Sequence, residues 1–195
     1  MATLQTPPDR LCYTGDDEAD RLLAADPLAL LIGFALDQQV TVQKAFSGPL
    51  ELRRRVGGLD ARTIAAMDPE RLSEVFRERP ALHRFPGAMA AKVQALCAVI
   101  AERYAGDAAR VWLEAADGRD LVVRLRALPG FGEMKAATVS AVLAKRFGLD
   151  LPGLAAVLPD HPTLGDVDSA EALATYQAGK RAHKASLRAS LRAGG

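Results

Sequence analysis

The stretch 128–132 reads Leu-Pro-Gly-Phe-Gly and lies between two segments of helical periodicity. Before it, Leu121, Val122, Leu125 and Leu128 recur at helical spacing; after it, Ala137, Val139, Val142 and Leu143 do the same. Two short helices therefore meet at a tight turn, and this constrains the fold more than any other feature of the chain. Pro129 ends the first helix, because its nitrogen carries no proton and its ring collides with the preceding turn. Gly130 and Gly132 permit positive φ and a close approach of a partner to the backbone. The second helix then starts with unpaired N–H groups, which suit a phosphate oxygen. Phe131 at the tip and Lys135 in the first turn of the second helix join the candidate contact residues, with Phe131 expected to pack beneath the turn. An ordinary connection between two helices, with glycines serving geometry alone, fits the same pattern.

The rest of the chain is punctuated in the same way. Asp26-Pro27 opens a strongly apolar helix over 28–36, which runs into Asp37, Gln38 and Gln39. An apolar pattern continues through Val40, Val42 and Ala45 to Gly48-Pro49, and further helices are expected at 50–56, after Asp60 and after Asp68-Pro69. A long helix follows over 88–104, then a short one opened by Asp107 and the two hairpin helices. Nothing reads as a set of alternating strands, so the class is all-α, a helical bundle. The organisation expected is a loose arm through Gly15 and a short helix within 1–25, then a single helical domain over 26–195. That domain holds the hairpin at 119–147, an irregular loop at 149–167 rich in proline and glycine, and a C-terminal helix at 168–192.

Two cysteines, Cys12 and Cys97, supply neither a disulfide framework nor a four-cysteine metal or iron–sulfur site, so no metal and no cofactor is expected. No apolar run reaches the roughly 18 residues of a membrane span, and the N-terminus lacks a secretory pattern; a soluble, cytoplasmic monomer is the expectation. The net charge of +1 conceals a gradient. Asp9, Asp16, Asp17, Glu18, Asp20 and Asp26 crowd the start, whereas no acid follows Glu171 and Lys180, Arg181, Lys184, Arg188 and Arg192 do. Such a basic end either binds phosphate or is a solvated helix face.

Three segments in order, Leu36-Asp37-Gln38-Gln39-Val40, then 85–92, then 128–136, carry a resemblance. The chain resembles the helix-hairpin-helix (HhH-GPD) DNA glycosylase superfamily, which includes endonuclease III, as a divergent member without an iron–sulfur cluster. The resemblance implies a two-lobed helical fold and base excision repair, in which a damaged base is flipped from duplex DNA and its glycosidic bond broken. It also implies that Gln38 or Gln39 reads a base edge or fills the vacated stack; either is equally suited to capping a helix end.

Bifunctional relatives carry a nucleophilic lysine six residues after the hairpin leucine, where this chain has Met134. Lys135, one residue on and about 100° around the helix, is expected to face the surface or a phosphate, which argues against lyase activity. The family's catalytic aspartate, counted from Gly148, falls on Ala155; Asp160 and Asp150 are the nearest carboxylates, each also readable as a turn residue. His83 and His161 are candidate pocket groups or plain loop histidines. Phe34, Phe85, Tyr104, Trp112 and Phe131 are the available stacking surfaces, most of them expected in the core. The expectation is a monofunctional glycosylase acting on damaged double-stranded DNA. A non-catalytic DNA binder of the same fold is the alternative, and a helical protein-interaction module is a third.

Overall fold

The computed structural model describes residues 7–193, with side-chain surroundings through residue 182. Ten α-helices are present among these residues: α1 (Asp17–Ala25), α2 (Pro27–Leu36), α3 (Val42–Val56), α4 (Ala61–Ala66), α5 (Pro69–Arg77), α6 (Pro86–Arg103), α7 (Arg110–Leu113), α8 (Gly118–Arg126), α9 (Glu133–Phe147) and α10 (Ala170–Ala193). The described residues form no extended strand, so the all-α expectation holds, and no helix is long and apolar enough to cross a membrane.

The centre is α2. Asp26 accepts hydrogen bonds from the N–H groups of Leu28 (2.8 Å) and Ala29 (3.3 Å), Pro27 fills the first turn, and every residue from Leu28 to Leu36 is buried. A helix apolar on all sides must be surrounded, and α1, α3 and α6 pack against it. The approach of α3 is close because Gly33 has no side chain; a β-carbon there would lie 2.6 Å from the Phe46 ring.

Two expectations fail, each for a packing reason. A separate helix at 50–56 does not exist: α3 runs unbroken through Pro49, whose missing N–H costs one hydrogen bond. Burial of Pro49, Leu50 and Leu52, with Gly48 seated against Leu36, outweighs that loss. The arm is not loose through Gly15, since Leu11 and Tyr13 are fully buried. The buried Asp20 carboxylate accepts from the Tyr13 N–H (3.1 Å), the Thr14 N–H (2.9 Å) and the Thr14 hydroxyl (2.9 Å), which anchors this segment to α1. The Tyr13 hydroxyl donates to the Leu164 carbonyl at 2.8 Å, tying it to the far end of the chain. Residues 1–6 of the expected arm lie outside the described residues.

The irregular loop lies where the proline and glycine content placed it, and it packs as a strap. Its Leu149, Leu151, Leu154, Leu164 and Val167 are buried, and 3-10 turns form at Leu154–Val157 and Leu164–Asp166. Gly118 and Gly165 allow backbone contact, the first against Leu154 and the second against the Ala141 carbonyl. A bond of 2.6 Å from Lys145 to Asp166 adds a link between α9 and the strap. The hairpin helices α8 and α9 are thereby braced from behind.

Candidate functional site

In front of the hairpin lies an open cavity of about 570 Å³. One wall is the turn after α2. The Asp37 N–H bonds back to Gly33 and Phe34, the Gln38 N–H reaches the Leu36 carbonyl at 2.7 Å, and Gln39 sits at φ 57°, a left-handed conformation uncommon for a residue with a side chain. This reversal sets Asp37 and Gln38 in the cavity wall, while Gln39 is exposed and takes no part in the lining.

The facing wall is the hairpin turn. Gly130 has φ 84°, the positive value that glycine permits, and a β-carbon there would meet the stem of Lys92, 2.7 Å from Cδ. Gly132 does not use that freedom: at φ −80°, ψ −179° it is ordinary extended backbone with open space where a side chain would be. No side chain caps α9, so its first N–H groups are free of a local partner, as the phosphate-seat argument requires. Phe131, a candidate DNA contact, is 4% exposed; it forms the cavity floor with Leu128 and packs into the core instead of reaching outward.

Lys92, Arg126 and Lys135 give the cavity three positive side chains, and Asp37 is its one carboxylate. Met134, at the counted lysine position, is 80% exposed, whereas Lys135 is largely buried and turns into the cavity, its Nζ 5.6 Å from the Phe131 ring centroid. Burial holds the Lys135 amine down at about 8; the Lys92 charge pushes the same way and Asp37 pulls against it. Burial likewise raises the Asp37 carboxyl above its ordinary value, opposed by the positive charges of Lys180 and Lys135. Asp37 and Lys135 thus form a partly desolvated pair, each affecting the other's proton.

Neither a protein-family model nor a curated protein matches the chain.

Gln38 is held from two sides. Lys92 Nζ donates to its side-chain oxygen at 2.5 Å, and its backbone carbonyl lies 3.0 Å from His83 Nε2. His83 Nδ1 accepts from the Phe85 N–H at 3.0 Å, so the proton of a neutral ring sits on Nε2 and donates to Gln38. Burial lowers the His83 pKa below the ordinary histidine value, consistent with that neutral form. His83 is thus a strut that fixes the Gln38 turn to the start of α6, with both ring nitrogens occupied. Because Lys92 engages the Gln38 oxygen, the amide NH₂ is left as the group available to a ligand.

Asp150 and Asp160 are exposed and outside the cavity, because the strap that carries them is spent bracing the back of the hairpin; His161 is exposed on the same strap. Of the stacking candidates, Phe34, Tyr104 and Trp112 are core residues. Phe85 alone is well exposed, at 41%, with the Arg84 guanidinium 4.7 Å from its ring centroid. Sequence reasoning missed Asp37, Lys92 and Arg126 as site residues. Asp37 carried a readable signal, a carboxylate directly after a helix with no polar side chain.

Proposed function

We propose that this protein is a base excision repair protein of the helix-hairpin-helix glycosylase type, which grips damaged duplex DNA with its hairpin and hydrolyses the N-glycosidic bond of a base presented to the cavity. One observation carries this reading: the hairpin turn and the Asp37-Gln38 turn face each other across a single cavity that holds one carboxylate among three cations. The uncapped start of α9 suits a phosphate oxygen beside the lesion, and such contacts position a duplex without reading its sequence. The Gln38 amide then faces the opened stack.

Asp37 takes the catalytic place first sought at Asp160 and Asp150. As the C1′–N bond breaks, its electron pair leaves with the base and positive charge develops on the sugar; a carboxylate at that point stabilises the transition state. Asp37 then accepts a proton from the water that adds to C1′, a role favoured by its raised affinity for protons. Lys135 supports a second step that residue counting argued against. With its amine held at about 8, a substantial neutral fraction exists near neutral pH, able to add to the C1′ aldehyde of the resulting abasic sugar.

The test is incubation of the full chain with labelled duplexes carrying single uracil, hypoxanthine, 8-oxoguanine, thymine glycol or alkylated adenine, read with and without hot alkali. Breaks seen only after alkali mark hydrolysis alone. Breaks without alkali, with a borohydride-trapped adduct lost in Lys135→Met, mark the amine step as well. Binding of an abasic duplex without release of any base would leave a non-catalytic DNA binder.

A further inference from the structure

Lys92 ties the two walls of the cavity together. It projects from α6 with its stem laid over Gly130 of the hairpin, a path open only because that residue has no β-carbon to meet Cδ at 2.7 Å. Its Nζ crosses to the other wall and donates to the Gln38 side-chain oxygen at 2.5 Å. The Gln38 turn is held from a second direction, since its backbone carbonyl accepts from His83 Nε2 at 3.0 Å and His83 is itself fixed by the Phe85 N–H. An exposed glutamine is thus immobilised at both its backbone and its side-chain oxygen.

An amide held in this way can discriminate, whereas a free one cannot. The oxygen and the NH₂ group of glutamine fill nearly the same space, so an unheld Gln38 turns either an acceptor or a donor to its ligand and takes a carbonyl or an amine alike. An ammonium only donates; the oxygen must therefore face Lys92, and the NH₂ is the edge left for the cavity. Among the described residues that NH₂ has no acceptor of its own. The other side chains that could turn the balance are donors too, Arg126 and Lys135, and Asp37 is the one carboxylate of the lining. A base drawn out of the stack is read on its Watson–Crick edge, where cytosine and adenine carry an exocyclic amine. A carbonyl in that place pairs with the Gln38 NH₂, whereas an amine sets donor against donor and leaves both unpaired.

We propose that Lys92 is a positioning residue that locks the Gln38 amide with its NH₂ toward the cavity, so that the site selects bases carrying a carbonyl where cytosine or adenine carries an amine, the class that hydrolytic deamination produces. This rests on the base-excision reading given above. The experiment uses two matched pairs of neutral bases, 5-hydroxyuracil with 5-hydroxycytosine opposite guanine and hypoxanthine with adenine opposite cytosine, each placed singly in one duplex, with single-turnover release by the full chain read after hot alkali. In the pair that is turned over, the wild-type chain is expected to release the carbonyl base about 10- to 100-fold faster than the amine base. Lys92→Met keeps an unbranched stem over Gly130 but donates nothing, so the amide is free to turn and the ratio should fall toward one. Lys92→Arg, again a donor only, should retain the ratio, and Gln38→Glu, which turns an acceptor to the cavity, should reverse it. An unchanged ratio in Lys92→Met, with weaker binding of an abasic duplex and a log–log salt slope shallower by about 1, makes Lys92 a phosphate contact and overturns the proposal. Equal release of both members of a pair by the wild-type chain, or release confined to lesions outside these pairs, overturns the selection and leaves base excision standing. Release of no base from any duplex overturns both.

Discussion

The two sides of this molecule treat their polar groups differently. On the α1–α5 side each helix begins with a side-chain cap, from Asp16, Asp26, Thr41, Asp60 and Asp68 in turn, and one oxygen of the Asp20 carboxylate accepts from three donors. On the cavity side the two longest helices of the central region, α6 and α9, start on Phe85 and Gly132 with no side-chain cap. There Asp37 faces lysine charges and accepts no side-chain hydrogen bond among the described residues. The start of α9 and the Asp37 carboxylate, which meet at the cavity, are thus left without the side-chain partners that the α1–α5 side supplies to its own polar groups.

The sharpest way to break this contrast is to remove one carboxylate from each side. Asp37→Asn is expected to lower base release at least about 100-fold while the melting temperature and abasic-duplex affinity stay near wild type. Asp20→Asn should do the reverse, destabilising by about 2–3 kcal/mol through mismatched buried donors, with normal turnover per folded molecule. If both variants lose stability alone, the cavity carboxylate is structural and the distinction fails.

Next in size is the glycine pair. Gly130→Ala must hold a left-handed backbone and displace the Lys92 stem, and is expected to cost about 1–2 kcal/mol in a denaturant titration and to weaken duplex binding. Gly132→Ala meets no neighbour and keeps an allowed φ, so stability should not change; any loss of DNA affinity then reports a backbone phosphate contact at the start of α9.

Lys135 sharpens the contrast through pH. Its folded pKa, about 8, lies below the unfolded value of 10.5, so the unfolded chain binds more protons between these limits. The penalty of burying the charged amine is therefore full below pH 8 and fades as pH rises toward 10.5. Lys135→Met should be more stable than wild type at pH 7, with the gap closing across that window, and reductive methylation of Lys135 should titrate near 8, or lower in Asp37→Asn.

The smallest effect is expected at His83. Its depressed pKa means that the unfolded chain protonates first as pH falls below 6.5, so stability declines from there; in His83→Gln that part of the pH dependence should vanish.

Helices announced by Asp-Pro pairs, apolar stripes and the Gly148 stop were legible, because caps and periodicity are local physics. Pro49 misled because burial decided against a local signal, and the packing of the strap was not legible because prolines and glycines mark an irregular segment without saying what it rests on. Gly130 and Gln38 were found from sequence. Lys135 was named from sequence, but its place in the cavity wall was not legible, since one residue of shift at a helix start decides which way a side chain faces, and only the start at Glu133 settles it. Asp37 escaped because its meaning depends on a hairpin some ninety residues away in the chain.

The bond from Tyr13 to the Leu164 carbonyl also sets a timetable. During synthesis the first segment emerges long before its acceptor exists, and contacts of such sequence separation form late and slowly. The apolar α2 can be enclosed by α1, α3 and α6 early. The N-terminal tether and the brace behind the hairpin must await residue 164, so the face that holds the cavity is expected to become rigid only after that residue has been made.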